Sequence, residues 1–120
     1  MKNITTQQLI LKGFTKTGKN EWSYDGEETY VIDFYADWCE PCKKMDTILS
    51  NISSVYTDIK FFRVNVEDES ELSEMFNITS LPTIIIASKN NESKTIDGAV
   101  SQNKLESMIL NNTSRIKMAV

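Results

Sequence analysis

Residues 30 to 44, Tyr-Val-Ile-Asp-Phe-Tyr-Ala-Asp-Trp-Cys-Glu-Pro-Cys-Lys-Lys, constrain the architecture of this chain more than any other stretch. Tyr30 to Ala36 is rich in β-branched and aromatic residues and reads as a buried strand carrying one carboxylate, Asp33. From Glu40 the pattern changes. Cys42, Met45, Leu49, Ile52 and Tyr56 recur at spacings of three and four, and Pro41 stands where a first helical turn has no use for an N–H. Cys39 therefore falls where a strand hands over to a helix. Free amide groups and the positive end of a helix dipole favour an anion at that point, so the Cys39 thiol should be unusually acidic. Cys42, three residues on, shares its helix face, and the two sulfurs can join without moving the rest of the chain. A ring so short contributes roughly 2 kcal/mol in the chain-entropy model, against 3 or so for a longer structural bridge. Such a bond is suited to opening and closing.

Other uses of a C-x-x-C pair fit less well. A structural zinc needs four ligands, and the chain has two cysteines and no histidine; a zinc shared between two copies stays open. A purely structural disulfide would normally join distant segments. The length of 120 residues predicts one domain over 1–120, large enough to bury a core. A net charge of −4 and a pI near 4.8 give nucleic acid and acidic membrane surfaces nothing to attract. No stretch approaches the length of a membrane span, and Leu9, Ile10 and Leu11 fall short of the apolar core of a signal peptide. The expected protein is a cytoplasmic monomer, or a periplasmic or secreted one if a leader has been removed.

Along the rest of the chain, Thr5 or Thr6 caps a short helix through Leu11 that Gly13 ends. Thr15 to Asn20 reads as polar turn material, and Trp22 and Tyr24 alternate like an edge strand packing over the core. Beyond the organising stretch the pattern predicts a strand over 59–66, a short helix over 70–76, a turn over 78–82 and a strand over 83–87. A hairpin connection over 89–92 leads to a strand over 94–97, then a helix from about Ser101 to Leu110 and a ragged tail. The first two major strands, joined by a helical crossover, should be parallel; the last two, joined by a hairpin, antiparallel. The expected fold is α/β, a central mixed β-sheet with helices on both faces.

Three residues outside the cysteine motif stand out. Pro82 precedes a buried strand, where a cis proline would present the backbone of Leu81 to an extended peptide; a turn proline is the plainer reading. Gly98 follows the last strand, where a missing side chain lets another backbone approach, although a turn glycine is equally natural. Asp33 is the strongest, because a carboxylate among buried apolar residues is costly unless used or paired.

Together these segments resemble the thioredoxin family. Asp-Phe-Tyr-Ala-Asp-Trp-Cys-Glu-Pro-Cys-Lys at 33 to 43 is similar to the family's active-site signature, Leu81-Pro82-Thr83 to its cis-proline loop, and Asp97-Gly98-Ala99 to its third groove loop. The resemblance covers about residues 22 to 110. It implies a thioredoxin fold and a protein-disulfide reductase whose redox centre is a Cys39–Cys42 disulfide, with no other cofactor bound and no metal. The family's reducing potential comes with the resemblance and not from this sequence, which argues only that Cys39 is acidic.

In the implied roles, Cys39 attacks a substrate disulfide, Cys42 resolves the mixed disulfide and Asp33 takes the proton from Cys42. Trp38, Glu40, Pro41, Leu81, Pro82, Gly98 and Ala99 meet the protein partner, and a thioredoxin reductase or an equivalent donor recycles the pair. Arg63 stands where the family often has a lysine paired with the buried carboxylate, and its permanent charge is expected to hold Asp33 more ionised. Glu40 replaces the glycine usual between the cysteines. Its charge should raise the Cys39 pKa slightly, with Lys43 and Lys44 screening the effect. A disulfide oxidase or isomerase, or a binding module on the same scaffold, are the alternatives.

Overall fold

Seven consecutive buried residues, Thr29–Tyr35, form the middle strand of the molecule. Residues 1–89 and 93–112 are described by the computed structural model. In chain order they form β1 (Lys2–Asn3), α1 (Thr6–Leu11), β2 (Phe14–Gly18), β3 (Glu21–Tyr24), β4 (Thr29–Tyr35), α2 (Glu40–Val55), β5 (Ile59–Asn65), α3 (Ser70–Met75), β6 (Thr83–Ala87), β7 (Lys94–Asp97) and α4 (Gln102–Asn111). Five strands make one sheet in the order β1-β5-β4-β6-β7, and β2 and β3 make a separate two-stranded sheet. As the connections require, β4 runs parallel to β5, while β6 is antiparallel to both β4 and β7. The expected hairpin connection falls largely on residues 90–92, and the tail on 113–120; both lie outside the described residues.

Side chains alternate across β4, so its two faces found two cores. Tyr30, Ile32 and Phe34 face Leu9 of α1, Phe14 of β2, and Leu72, Met75 and Phe76 on and just after α3. Val31 faces the other way, against Met45, Leu49 and Ile52 of α2 and Leu105 and Ile109 of α4. The helix from Glu40 thus buries the stripe its three-and-four spacing predicts, with Tyr56 half-buried at its end.

In the N-terminal region one expectation needs correction and two strands, β2 and β1, were not foreseen. The segment read as turn material contains strand β2, which pairs antiparallel with β3, so Trp22 and Tyr24 sit in a hairpin of their own and not on an edge of the main sheet. Only Phe14 of β2 is fully buried, and it anchors the hairpin against Trp22, Tyr24, Tyr30 and Phe76 with ring centroids 4.5 to 5.9 Å apart. The second omission is β1, two exposed residues that pair parallel with β5 and place Asn3 opposite Arg63.

The cap of α1 matches expectation. Thr5 accepts from the Gln8 amide at 3.2 Å while the Gln8 side chain accepts from the Thr5 amide at 2.9 Å, a reciprocal capping box. Replacing Thr5 with alanine should lower stability by about 1 kcal/mol, measured by urea unfolding, with no change in thiol chemistry.

Candidate active site

The turn from β4 to α2 carries the two cysteines. Cys39 is the N-cap of α2 in an extended conformation, Pro41 lies in the first turn, and the Cys42 amide donates to Cys39 Sγ at 3.3 Å. The helix start therefore points a backbone donor at the Cys39 sulfur, an arrangement that favours negative charge there over Cys42. In this structure the two sulfurs are bonded to each other, with Cα atoms 5.3 Å apart. Both cysteines are buried, packed with Tyr35 and Ala36 and covered by Val66 and Leu81.

Asp33 lies on the α2 side of the sheet, in register with Arg63 on β5 and Ile84 on β6. Its exposure is 0 %, and neither carboxylate oxygen has a hydrogen-bond partner among the described residues. Loss of water pushes its pKa up to about 7; the charge of Arg63 opposes this and that of Asp46 adds to it. Arg63 thus pulls Asp33 toward the ionised form, as expected, but burial outweighs it. Arg63 Nε sits 3.1 Å from Asp46 Oδ1, in ion-pair contact without the alignment of a hydrogen bond, and its guanidinium lies 3.9 Å from the centroid of the Tyr35 ring. The physical reason is solvation. Near the surface the guanidinium keeps part of its hydration and meets a carboxylate that does the same, whereas following Asp33 inward would strip both. A cleft of about 190 Å³, lined by Tyr35, Ala36, Asp37, Cys42, Lys43, Asp46 and Arg63, opens beside Cys42.

The other predicted residues separate into two groups. The Leu81–Pro82 bond is cis, as anticipated, and the Pro82 carbonyl accepts from the Gly98 amide at 2.8 Å, bringing those two loops together. Thr83 ties them further by donating to Asp97 Oδ1 at 3.3 Å. Gly98 has φ of +84°, a conformation a side chain would resist, and none of the described residues lies within 4 Å of the position a Cβ would take. That space is open to another backbone. Trp38 is 69 % exposed and, with Leu81, lines a depression of about 440 Å³ that continues along Val66, Ser70, Ser73, Ile78, Thr79 and Ser80. This α3 side of the groove was missed; Ile78, an apolar residue in the turn just ahead of Leu81, was the available signal. Ala99 is exposed beyond Gly98 and does not line that depression.

Glu40 and Lys43 form an exposed ion pair of 2.9 Å on the first turn of α2. The lysine offsets much of the glutamate's effect on Cys39. Glu40→Gly should therefore lower the Cys39 pKa by only a fraction of a pH unit, as read by thiolate absorbance; an equal or higher value in the variant refutes the assignment. Among the described residues no cluster of three or more His, Cys, Asp or Glu is arranged to hold a metal ion, and no helix is long and apolar enough to cross a membrane.

A helix start that favours a thiolate, next to a second cysteine positioned to close on it, equips a protein to exchange two thiols for a disulfide. Such chemistry defines a thiol–disulfide oxidoreductase, and this chain is one that acts on protein disulfides as a reductase. The thioredoxin family model matches residues 14–111, and the chain belongs to the thioredoxin family. A thioredoxin of Borreliella burgdorferi is 32% identical over 108 residues, spanning 89% of this chain and 92% of its own length. One from Mycoplasma genitalium is 32% identical over 82 residues, 68% of this chain and 80% of the relative. The solved structure of Plasmodium falciparum thioredoxin superposes with a TM-score of 0.72 at 30% identity, covering 92% of this chain and 98% of that one. Chloroplastic thioredoxin z, at 22% identity and a TM-score of 0.75 over 92% of each chain, shares the fold.

Proposed function

We propose that the chain reduces disulfides in other proteins by a two-step exchange in which Cys39 is the nucleophile, Cys42 the resolving thiol and Asp33 its base. The Cys39 thiolate attacks one sulfur of the substrate disulfide, forming a mixed disulfide and releasing the other sulfur as a thiolate. Cys42 then gives its proton to Asp33 and attacks Cys39, which releases the second substrate sulfur and leaves the Cys39–Cys42 disulfide. The substrate gains the two electrons that the cysteine pair loses; the Cys42 proton stays on Asp33 until it passes to solvent, and the released thiolates take up their protons from solvent. The observation that carries this reading is the buried, unpartnered carboxylate of Asp33 on the α2 side of the sheet, with its proton affinity raised to about 7. A base of that strength works near neutral pH.

Trp38, Pro41, Leu81, Pro82 and Gly98 would receive the partner as an extended segment, its backbone entering the space above Gly98, with Glu40 and Ala99 at the rim. Oxidised enzyme would be regenerated by a thioredoxin reductase or an equivalent donor. Every group invoked comes from one chain within residues 1–120, so a single-domain monomer suffices, with no cofactor beyond the cysteine pair. A reducing compartment such as the cytoplasm fits a reductase best.

Equilibration of the Cys39–Cys42 pair with a glutathione redox buffer, followed by Trp22 and Trp38 fluorescence, tests this. About 30 mV separates tenfold differences in equilibrium constant, so the classes resolve well. A potential well on the reducing side of glutathione is expected; one on the oxidising side would replace the reductase with an oxidase or isomerase.

A further inference from the structure

The residue opposite Asp33 in the sheet is a permanent cation, yet among the described residues neither Asp33 oxygen is hydrogen-bonded. Arg63 is instead engaged on two sides. Its Nε contacts Asp46 Oδ1 at 3.1 Å, and its guanidinium lies over the Tyr35 ring at 3.9 Å from the centroid. Both contacts are themselves positioned by the fold. Asp46 stands four residues after Cys42 on α2, one turn along the same face, and the Tyr35 hydroxyl accepts from Asn3 Nδ2 at 2.6 Å across from β1. Arg63 and Asp46 both line the cleft beside Cys42.

We propose that Asp46 and Tyr35 form a clamp that keeps Arg63 from pairing with the Asp33 carboxylate, making Asp46 a positioning residue for the proton step at Cys42. This rests on the reading of Asp33 as the base. A cation allowed to pair with Asp33 would favour its ionised form and weaken it as a proton acceptor. Asp46 counters that in two ways: it occupies the guanidinium, and its own negative charge disfavours a second one below it. The groups facing this region are few. β4 supplies Tyr35, β5 supplies Arg63, α2 supplies Cys42 and Asp46, and Asp37 and Lys43 stand at the cleft wall. β6 and α4 contribute the apolar Ile84, Leu105 and Ile109.

The test is the titration of the Asp33 carboxyl carbon by NMR in the disulfide form, where neither cysteine titrates. The proteins compared are the parent, Asp46→Asn, Asp46→Glu, Arg63→Gln and the Asp46→Asn/Arg63→Gln double variant. Asp46→Asn should lower the Asp33 pKa by about one pH unit, since the released guanidinium can turn toward it. Asp46→Glu should stay near the parent value. In the Arg63→Gln background the same Asp46→Asn change should have a clearly smaller effect, only the removal of direct repulsion. An unchanged or raised Asp33 pKa in Asp46→Asn overturns the clamp, as does an equal fall in both backgrounds. The rate of mixed-disulfide resolution against pH separates the underlying reading. Its acid limb should move down with Asp33 in Asp46→Asn. A limb that stays put while the carboxyl resonance moves removes Asp33 from the proton step, and Asp46 with it, and leaves the clamp to be judged by the NMR titration alone.

Discussion

Replacing Asp33 with asparagine should stabilise the disulfide form by about 4 kcal/mol at pH 8 and by almost nothing at pH 4. The sign follows from proton binding. The folded-state pKa is raised from 3.8 to about 7, so between those values the folded protein holds a proton that the unfolded chain has released. Stability must then fall as pH rises through that window and level off above it. Below about pH 4 both states are protonated, and the neutral acid and the amide are near equivalents. The gap between parent and variant should thus open by about 1.4 kcal/mol per pH unit and close to a plateau near pH 7. Denaturant unfolding at several pH values, with the disulfide intact so that no thiol titrates, measures it. A gap independent of pH would mean that Asp33 ionises normally, and its assignment as a tuned base would fail. The same substitution should slow resolution of the mixed disulfide, so stability gained at this residue comes at the expense of turnover.

Cys42→Ser should reduce multiple turnover by about a thousandfold or more while leaving the first attack intact. With Cys39 present and its helix-start amide environment preserved, the variant should accumulate as a mixed disulfide with its substrate, visible as a mass increase that a small thiol reverses. Cys39→Ser should form no such adduct, because the serine is not a thiolate and Cys42 lacks the helix-start amide that faces Cys39 Sγ. A stable adduct through Cys42 in the Cys39→Ser protein, with none in Cys42→Ser, would exchange the assigned roles. Mass spectrometry of the trapped species with a small protein disulfide as substrate decides between them.

The central βα turn, the parallel and antiparallel pairings and the two core faces were legible in the sequence because each rests on local periodicity plus connection length. The bounds of β6 and β7 match their predicted spans, and those of β4, β5, α2, α3 and α4 match within a residue or so. The hairpin of β2 and β3 was half-hidden for a physical reason. Thr15, Lys16 and Thr17 are all exposed, so β2 has no buried alternation to read, and its strand character comes from pairing with Trp22 and its neighbours. Lys2 and Asn3 are strand only because β5 offers an open edge. In the site, the cysteines, Asp33 and the cis Pro82 announced themselves through residue type and place. The engagement of Arg63 did not, because it depends on Asp46 from a different element and on how far a long cation will leave water. The spacing from Cys42 to Asp46 was available, yet Asp46 reads as one more polar residue on a solvated helix face.

The central position of β4 has a consequence for how this protein loses activity. With parallel β5 on one side and antiparallel β6 on the other, its backbone amides can meet deuterium only when the sheet itself separates. The cysteine turn hangs from the end of that strand, while the short α1 and the separate β2–β3 hairpin lie outside the main sheet and each bury a single residue fully, Leu9 and Phe14. Exchange should therefore reach the periphery at low free energy and β4 only at the global one. Heating or mild denaturant should fray the hairpin first and leave the redox pair working until the whole domain comes apart.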